Sequence, residues 1–165
     1  MENPINPQKL TIGWFTFTCC EDSTMLMIEL LNTRWQKWIK LIDFKYVKIL
    51  RQHRPLGPMD VAFIEGAISS TQQTEKLKKI RSFAKKLVAI GSCAVTGQPS
   101  AQRNLFSDSQ KQEIQTILEK FQYADKVQKL DEVVTVDYQV PGCPMDENKF
   151  LELIDKLLKE FNITK

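Results

Sequence analysis

Leu10-Thr-Ile-Gly-Trp-Phe-Thr-Phe-Thr-Cys19-Cys20-Glu21-Asp22-Ser23 is an apolar run that stops on two adjacent cysteines. Residues 10–18 are rich in β-branched and aromatic side chains, the composition of a buried strand. Past Cys20 the apolar positions Met25, Leu26, Ile28, Leu30 and Leu31 take up a helical rhythm that runs to Ile42. The two thiols therefore belong at the carboxyl end of a strand and the start of a helix. In an open α/β sheet this is where ligands bind, because helix N-termini and free backbone N–H groups point there.

The same unit repeats outward from this stretch. Phe44-Lys-Tyr-Val-Lys-Ile-Leu50 alternates as a half-buried or edge strand does, and the loop 51–58, with two prolines and a glycine, ends it. Met59 to Gly66, apolar throughout Val61–Ile64, reads as a central parallel strand. Ser70-x-x-Gln73 is a capping box that opens a helix over Thr71–Lys85, with Leu77, Ile80, Phe83 and Ala84 as its buried stripe. Leu87-Val-Ala-Ile-Gly91-Ser-Cys93 is a fourth strand that again ends on a cysteine. Ser107-x-x-Gln110 caps a further helix with Ile114, Ile117, Leu118 and Phe121 on one side. Val133–Val136 reads as a short fifth strand, Pro141-Gly142-Cys143-Pro144 as a rigid turn, and Asn148–Phe161 as an amphipathic last helix. Five alternations of strand and helix predict an α/β fold with a parallel sheet and helices on both faces, and five strands predict the flavodoxin-like order 2-1-3-4-5. No repeat or linker divides the chain, so residues 1–165 are expected to form one domain.

Composition excludes several classes of function. A net charge of +3, with basic residues scattered and balanced by acids, gives no footprint for nucleic acid. No segment reaches the roughly 18 to 20 apolar residues of a membrane span, and the first residues show neither a signal-peptide core nor a twin arginine. The expectation is a cytoplasmic protein, in which four cysteines point to metal binding or catalysis rather than a disulfide framework. His53, the only histidine, has no partner ligands and is given no role. There is no Walker loop, G-x-G-x-x-G or Ser/His/Asp arrangement. Cys-Cys-Glu-Asp, where a phosphate cradle would want small or basic residues, argues against a flavin nucleotide.

The cysteines carry the functional reading. Cys19 and Cys20 follow the first strand, Cys93 ends the fourth, and Cys143 lies past the fifth, so a parallel sheet delivers all of them to one rim. Four thiolates are what a 4Fe–4S cluster needs. Structural zinc is the rival, although it draws its ligands in close pairs spaced by two to four residues. A redox dithiol would show C-x-x-C, which is absent.

Five motifs occur in order: Cys19-Cys20-Glu-Asp-Ser, Ile64-Glu65-Gly66-Ala-Ile-Ser, Ile90-Gly91-Ser92-Cys93-Ala94, Pro99-Ser-Ala-Gln102-Arg103-Asn104 and Pro141-Gly-Cys143-Pro144. Together they resemble the family that joins the small subunits of NiFe hydrogenases to the 20-kDa subunit of respiratory complex I. The resemblance implies a flavodoxin-like fold holding one 4Fe–4S cluster on Cys19, Cys20, Cys93 and Cys143, with Glu65, Gln102 and Arg103 around it. It further implies electron transfer beside a large NiFe-hydrogenase-type subunit, a further iron–sulfur or flavin subunit as acceptor or donor, and no independent catalytic site. Hydrogenase small subunits typically open the site with C-x-x-C, but Phe17 stands three before Cys20. The adjacent pair resembles the complex I subunit, so a quinone-linked role is the alternative within electron transfer.

Overall fold

The computed structural model describes residues 8–50 and 55–164, and His53 lies outside them. Five parallel strands form one sheet in the order β2-β1-β3-β4-β5: β1 Leu10–Thr16, β2 Ile42–Val47, β3 Met59–Glu65, β4 Ala84–Ile90 and β5 Tyr138–Val140. The crossovers carry helices α1 (Asp22–Leu41), α2 (Thr71–Phe83), α3 (Gly91–Thr96) and α4 (Asp108–Lys120), and α5 (Glu147–Glu160) closes the fold. The strand order is the one expected, but strand and helix do not alternate throughout: the described part of the β2–β3 connection holds a 3-10 turn and no α-helix, and α3 stands where the sequence reads as the end of a strand.

Strand periodicity sorts the core onto two faces. Ile12, Trp14, Val61, Phe63, Val88 and Ile90 meet α1 and α5 in one apolar cluster. Ala62, Ile64, Leu87 and Ala89 point the other way, toward Leu77 and Ile80 of α2. The first face is aromatic at its centre: the Phe150 ring of α5 meets Trp14 edge-on at 5.9 Å, Phe63 at 5.8 Å and Trp38 at 6.4 Å. Such contacts add about 0.5–1.5 kcal/mol each beyond the burial of area. Trp35, three residues before Trp38, is part-exposed and tilts against Phe44. Among the described residues no helix is long and apolar enough to cross a membrane.

Several boundaries differ from the sequence reading. The second strand begins at Ile42 and stops at Val47, and Lys48–Leu50 form a 3-10 turn, so the strand grows directly out of α1. The fourth strand begins at Ala84 and ends at Ile90, which leaves Cys93 inside the short helix α3 rather than at the strand's last position. The fifth strand is not Val133–Val136 but Tyr138–Val140. Asp137 decides that shift. Its backbone N–H donates to Leu87 O at 2.9 Å and its carboxylate accepts from Leu87 N at 2.7 Å, so pairing with β4 starts after it. The valines before it are packed as a loop against the second apolar cluster. A short apolar run satisfies burial equally well as strand or as packed loop.

Candidate metal centre

All four cysteines line one small cavity at the carboxyl edge of the sheet, together with Asp22, Ser23, Glu65, Ser92 and Gly142. Cys19 and Cys93 are set back, part-buried and buried, whereas Cys20 and Cys143 are exposed. The ligand atoms of Cys20, Asp22 and Cys143 lie within 4.8 Å of one another.

Three segments converge to make this arrangement, and backbone bonds tie each to the next. Beyond β1 the chain runs alongside the segment after β3. Phe17 N donates to Glu65 O at 2.8 Å, and Thr18 exchanges two bonds with Ala67 at 2.9 and 3.0 Å. That pairing delivers the tandem cysteines. Glu21 then takes a left-handed conformation, φ 65°, before α1 begins. Gly91, with φ 78°, opens α3, and a Cβ there would stand 3.0 Å from Ser23 Oγ. Gly91 therefore lets the Cys93 segment approach the start of α1. Ser92 N donates to Gly142 O at 2.7 Å, and Met145 N donates to Ser23 Oγ at 3.2 Å, which seats the Cys143 turn against both.

Glu65 is the buried charge of the site, 3% exposed. No side chain near α1 in sequence caps its N-terminus. Instead the Glu65 carboxylate accepts from Ser23 N at 3.0 Å, Thr24 N at 3.1 Å and Thr24 Oγ1 at 2.6 Å. An anion at a helix N-terminus meets the positive end of the helix dipole and the free N–H groups at once. Thr24 Oγ1 also accepts from Trp14 Nε1 at 2.8 Å, so the carboxylate is locked into the core.

Without a metal the tandem thiols are held protonated. Burial, followed by the Glu65 carboxylate, pushes the Cys19 thiol up to about 12. Cys20 is also raised: the Asp22 backbone N–H is the strongest single influence and lowers it, but burial and the Asp22 side chain outweigh it. Metal binding at such a site releases protons, because only the thiolate is a ligand.

Of the other sequence candidates, Glu65 lines the cavity, whereas Gln102 and Arg103 are not among its lining residues. Arg103 donates through Nη2 to Ala124 O at 2.6 Å and Ser69 O at 3.3 Å, and lies 5.6 Å from the Tyr123 ring centroid. Burial lowers its pKa. Asn104 makes a two-way bond with the Val127 backbone at 2.7 and 2.8 Å. Both side chains therefore pin the segment 100–104 in place. The residue of this segment that reaches a cysteine is Ser100, whose hydroxyl is 3.2 Å from Cys93 Sγ and 2.9 Å from Thr18 O. Sequence reasoning missed Ser100, Ser23 and Thr24. Ser23 and Ser100 fall inside the ordered motifs and Thr24 just beyond one, but hydroxyl residues are too common for that to single them out.

Four thiols on one cavity, two of them close together and open to solvent, are a donor set that fits thiophilic iron or zinc. The fold and the site define a flavodoxin-like α/β protein with a cysteine-based candidate metal centre. The chain belongs to the family described as the 20-kDa subunit of NADH ubiquinone oxidoreductase, whose model matches residues 19–157. It is 30% identical over 133 residues to a component of the F420-non-reducing hydrogenase of Methanothermobacter marburgensis, covering 71% of this chain and 43% of that protein. It is 29% identical over 114 residues to the delta subunit of the NAD-reducing hydrogenase HoxS of Cupriavidus necator, covering 59% of this chain and 54% of that one. The chain thus spans about half the length of these relatives. A chain in the crystal structure of an NAD+-reducing NiFe-hydrogenase in the H2-reduced state superposes with a TM-score of 0.78 at 25% identity, covering 92% of this chain and 93% of that one.

Proposed function

We propose that this chain is the electron-transfer small subunit of a cytoplasmic NiFe-hydrogenase-type oxidoreductase, holding one 4Fe–4S cluster on Cys19, Cys20, Cys93 and Cys143. One observation carries the reading: four thiols, separated by as many as 124 residues in sequence, line a single cavity at the sheet edge. When bound, such a cluster gains and loses one electron at a time.

The residues of the chain do the rest. Glu65 fixes the start of α1 and with it the direction of the tandem cysteines. The Ser100 hydroxyl next to Cys93 Sγ supplies the kind of hydrogen bond to sulfur that tunes a cluster's potential. Arg103 and Gln102 act through the segment that carries Ser100. The partners in this reading are a large NiFe-hydrogenase-type subunit, facing the exposed Cys20 and Cys143, and a further iron–sulfur or flavin subunit. The adjacent cysteines favour, as the second reading, a complex-I-like subunit linked to quinone.

Anaerobic reconstitution of the chain with iron and sulfide tests the cluster. The expected product is brown, contains about four iron and four sulfide per chain, and gives an EPR signal on reduction. Replacing Cys93 or Cys143 by alanine should remove both the colour and the signal. Stoichiometric zinc with no colour would overturn the reading in favour of a zinc-stapled structural subunit.

A further inference from the structure

A second cavity, of about 510 Å³, shares no lining residue with the cysteine site. Its size is that of a small-molecule pocket, which runs from roughly 300 to 1,000 Å³. It opens at the carboxyl ends of β1 and β2 and is bounded on its far side by α2. Its walls are apolar and partly aromatic: Trp14 and Phe15 from β1, Tyr46 and Val47 from β2, and Ile80 from α2. Trp14, Tyr46, Val47 and Ile80 are buried, so this lining is held by the core of the fold.

The charges on the cavity are not balanced. Lys48 and Lys76 both line it, against one acid, Glu21. Among the described residues neither lysine stands within ion-pair distance of a carboxylate. The contact of Lys76 is with a ring, 5.3 Å from the Phe17 centroid. Burial, and then the charge of Lys48, lower the Lys76 pKa, so the two cations feel each other across the opening. An apolar cavity with two mutually repelling cations and too few acids is complementary to a ligand with a flat apolar body and one negative group.

We propose that this cavity binds an aromatic organic anion, with its rings against Phe15 and Tyr46 and its carboxylate or phosphate at Lys48 and Lys76. The assignment is independent of whether the cysteines hold iron, because no cysteine lines the cavity.

The test uses the full-length chain and two probes that share a ring system: anilinonaphthalene sulfonate, which is anionic, and phenylnaphthylamine, which is neutral. The anionic probe should bind saturably at one site per chain, with energy transfer from tryptophan because Trp14 forms part of the wall. The double variant Lys48→Gln/Lys76→Gln should bind the anionic probe about tenfold more weakly and the neutral probe unchanged. Its thermal midpoint should match that of the parent, which separates lost recognition from lost folding. Displacement by naphthoate identifies a carboxylate ligand and displacement by naphthyl phosphate a phosphate ligand. The proposal is overturned if the parent shows no saturable binding, if the double variant binds the anionic probe as tightly as the parent, or if neither competitor displaces it.

Discussion

Helices α1 and α4 are capped at their N-termini in opposite ways. At α4 the cap is local: Ser107 accepts from Gln110 N while Gln110 Oε1 accepts from Ser107 N at 2.9 Å, all within four residues and exposed to solvent. At α1 the cap comes from Glu65 on β3, more than forty residues away, and every partner is buried. A local box lets a helix form wherever it happens to lie. A distant carboxylate makes forming the helix and placing it a single event. The packing agrees, since α1 buries Met27, Leu30, Leu31 and Trp38, whereas α4 buries only Leu118. The helix that must aim two cysteines is the one whose cap also fixes its position on the sheet.

Breaking the distant cap should have the largest effect. In Glu65→Ala the two backbone N–H groups and the Thr24 hydroxyl lose their acceptor in a buried site. Unsatisfied buried donors, with the lost charge–dipole attraction, should cost about 3 kcal/mol or more. Denaturant unfolding of the metal-free chain measures it. Glu65→Gln keeps the shape and one carbonyl acceptor but gives up the charge, and it should lie between the parent and the alanine variant. If the alanine variant unfolds at the parental midpoint, α1 holds its place without Glu65 and the contrast with α4 fails.

A milder break tests how far the cap reaches into the core. Thr24 Oγ1 donates to Glu65 and accepts from Trp14 Nε1, and Thr24→Val removes both bonds while keeping the shape. The expected loss is about 1–2 kcal/mol, with a shift in tryptophan emission as the Trp14 N–H loses its partner. An unchanged emission spectrum would mean that the indole is not held through Thr24.

The same contrast explains what could be read in the sequence. The Ser107–Gln110 box was readable because both halves lie within four residues, and Ser70 likewise caps α2 by accepting from Gln73 N. The second half of the Ser70 box departs from the pattern, because Gln73 Oε1 accepts from Ser69 N instead. The gathering of four cysteines on one rim was readable because parallel topology alone dictates it. The action of Glu65 on α1 was not, because no local pattern says which distant strand end will face a helix N-terminus. The fifth strand was misplaced for a related reason. Its start is set by the bonds between Asp137 and Leu87, fifty residues apart, and the valines at 133–136 offered the stronger local strand signal. The stripe on α4 was read correctly as a pattern, but it overstates burial: Ile117 is 54% and Phe121 59% exposed. Periodicity gives the face a helix would bury and is silent on whether anything covers it.

The smallest effect should come from breaking the local cap. Ser107→Ala removes the acceptor for Gln110 N and weakens the reciprocal bond, which together are worth about 1 kcal/mol at a helix N-terminus. Because α4 is anchored chiefly through Leu118, most of that loss should appear as fraying of α4 rather than as global unfolding. Amide hydrogen exchange separates the two. Protection in the first turns of α4 should fall while amides of β1, β3 and β4 exchange at parental rates, as expected for a locally opening unit. If the strand amides lost protection to the same extent as α4, the helix would be coupled to the core as tightly as α1. The difference between the local and the distant cap would then be one of geometry, with no difference in stability behind it.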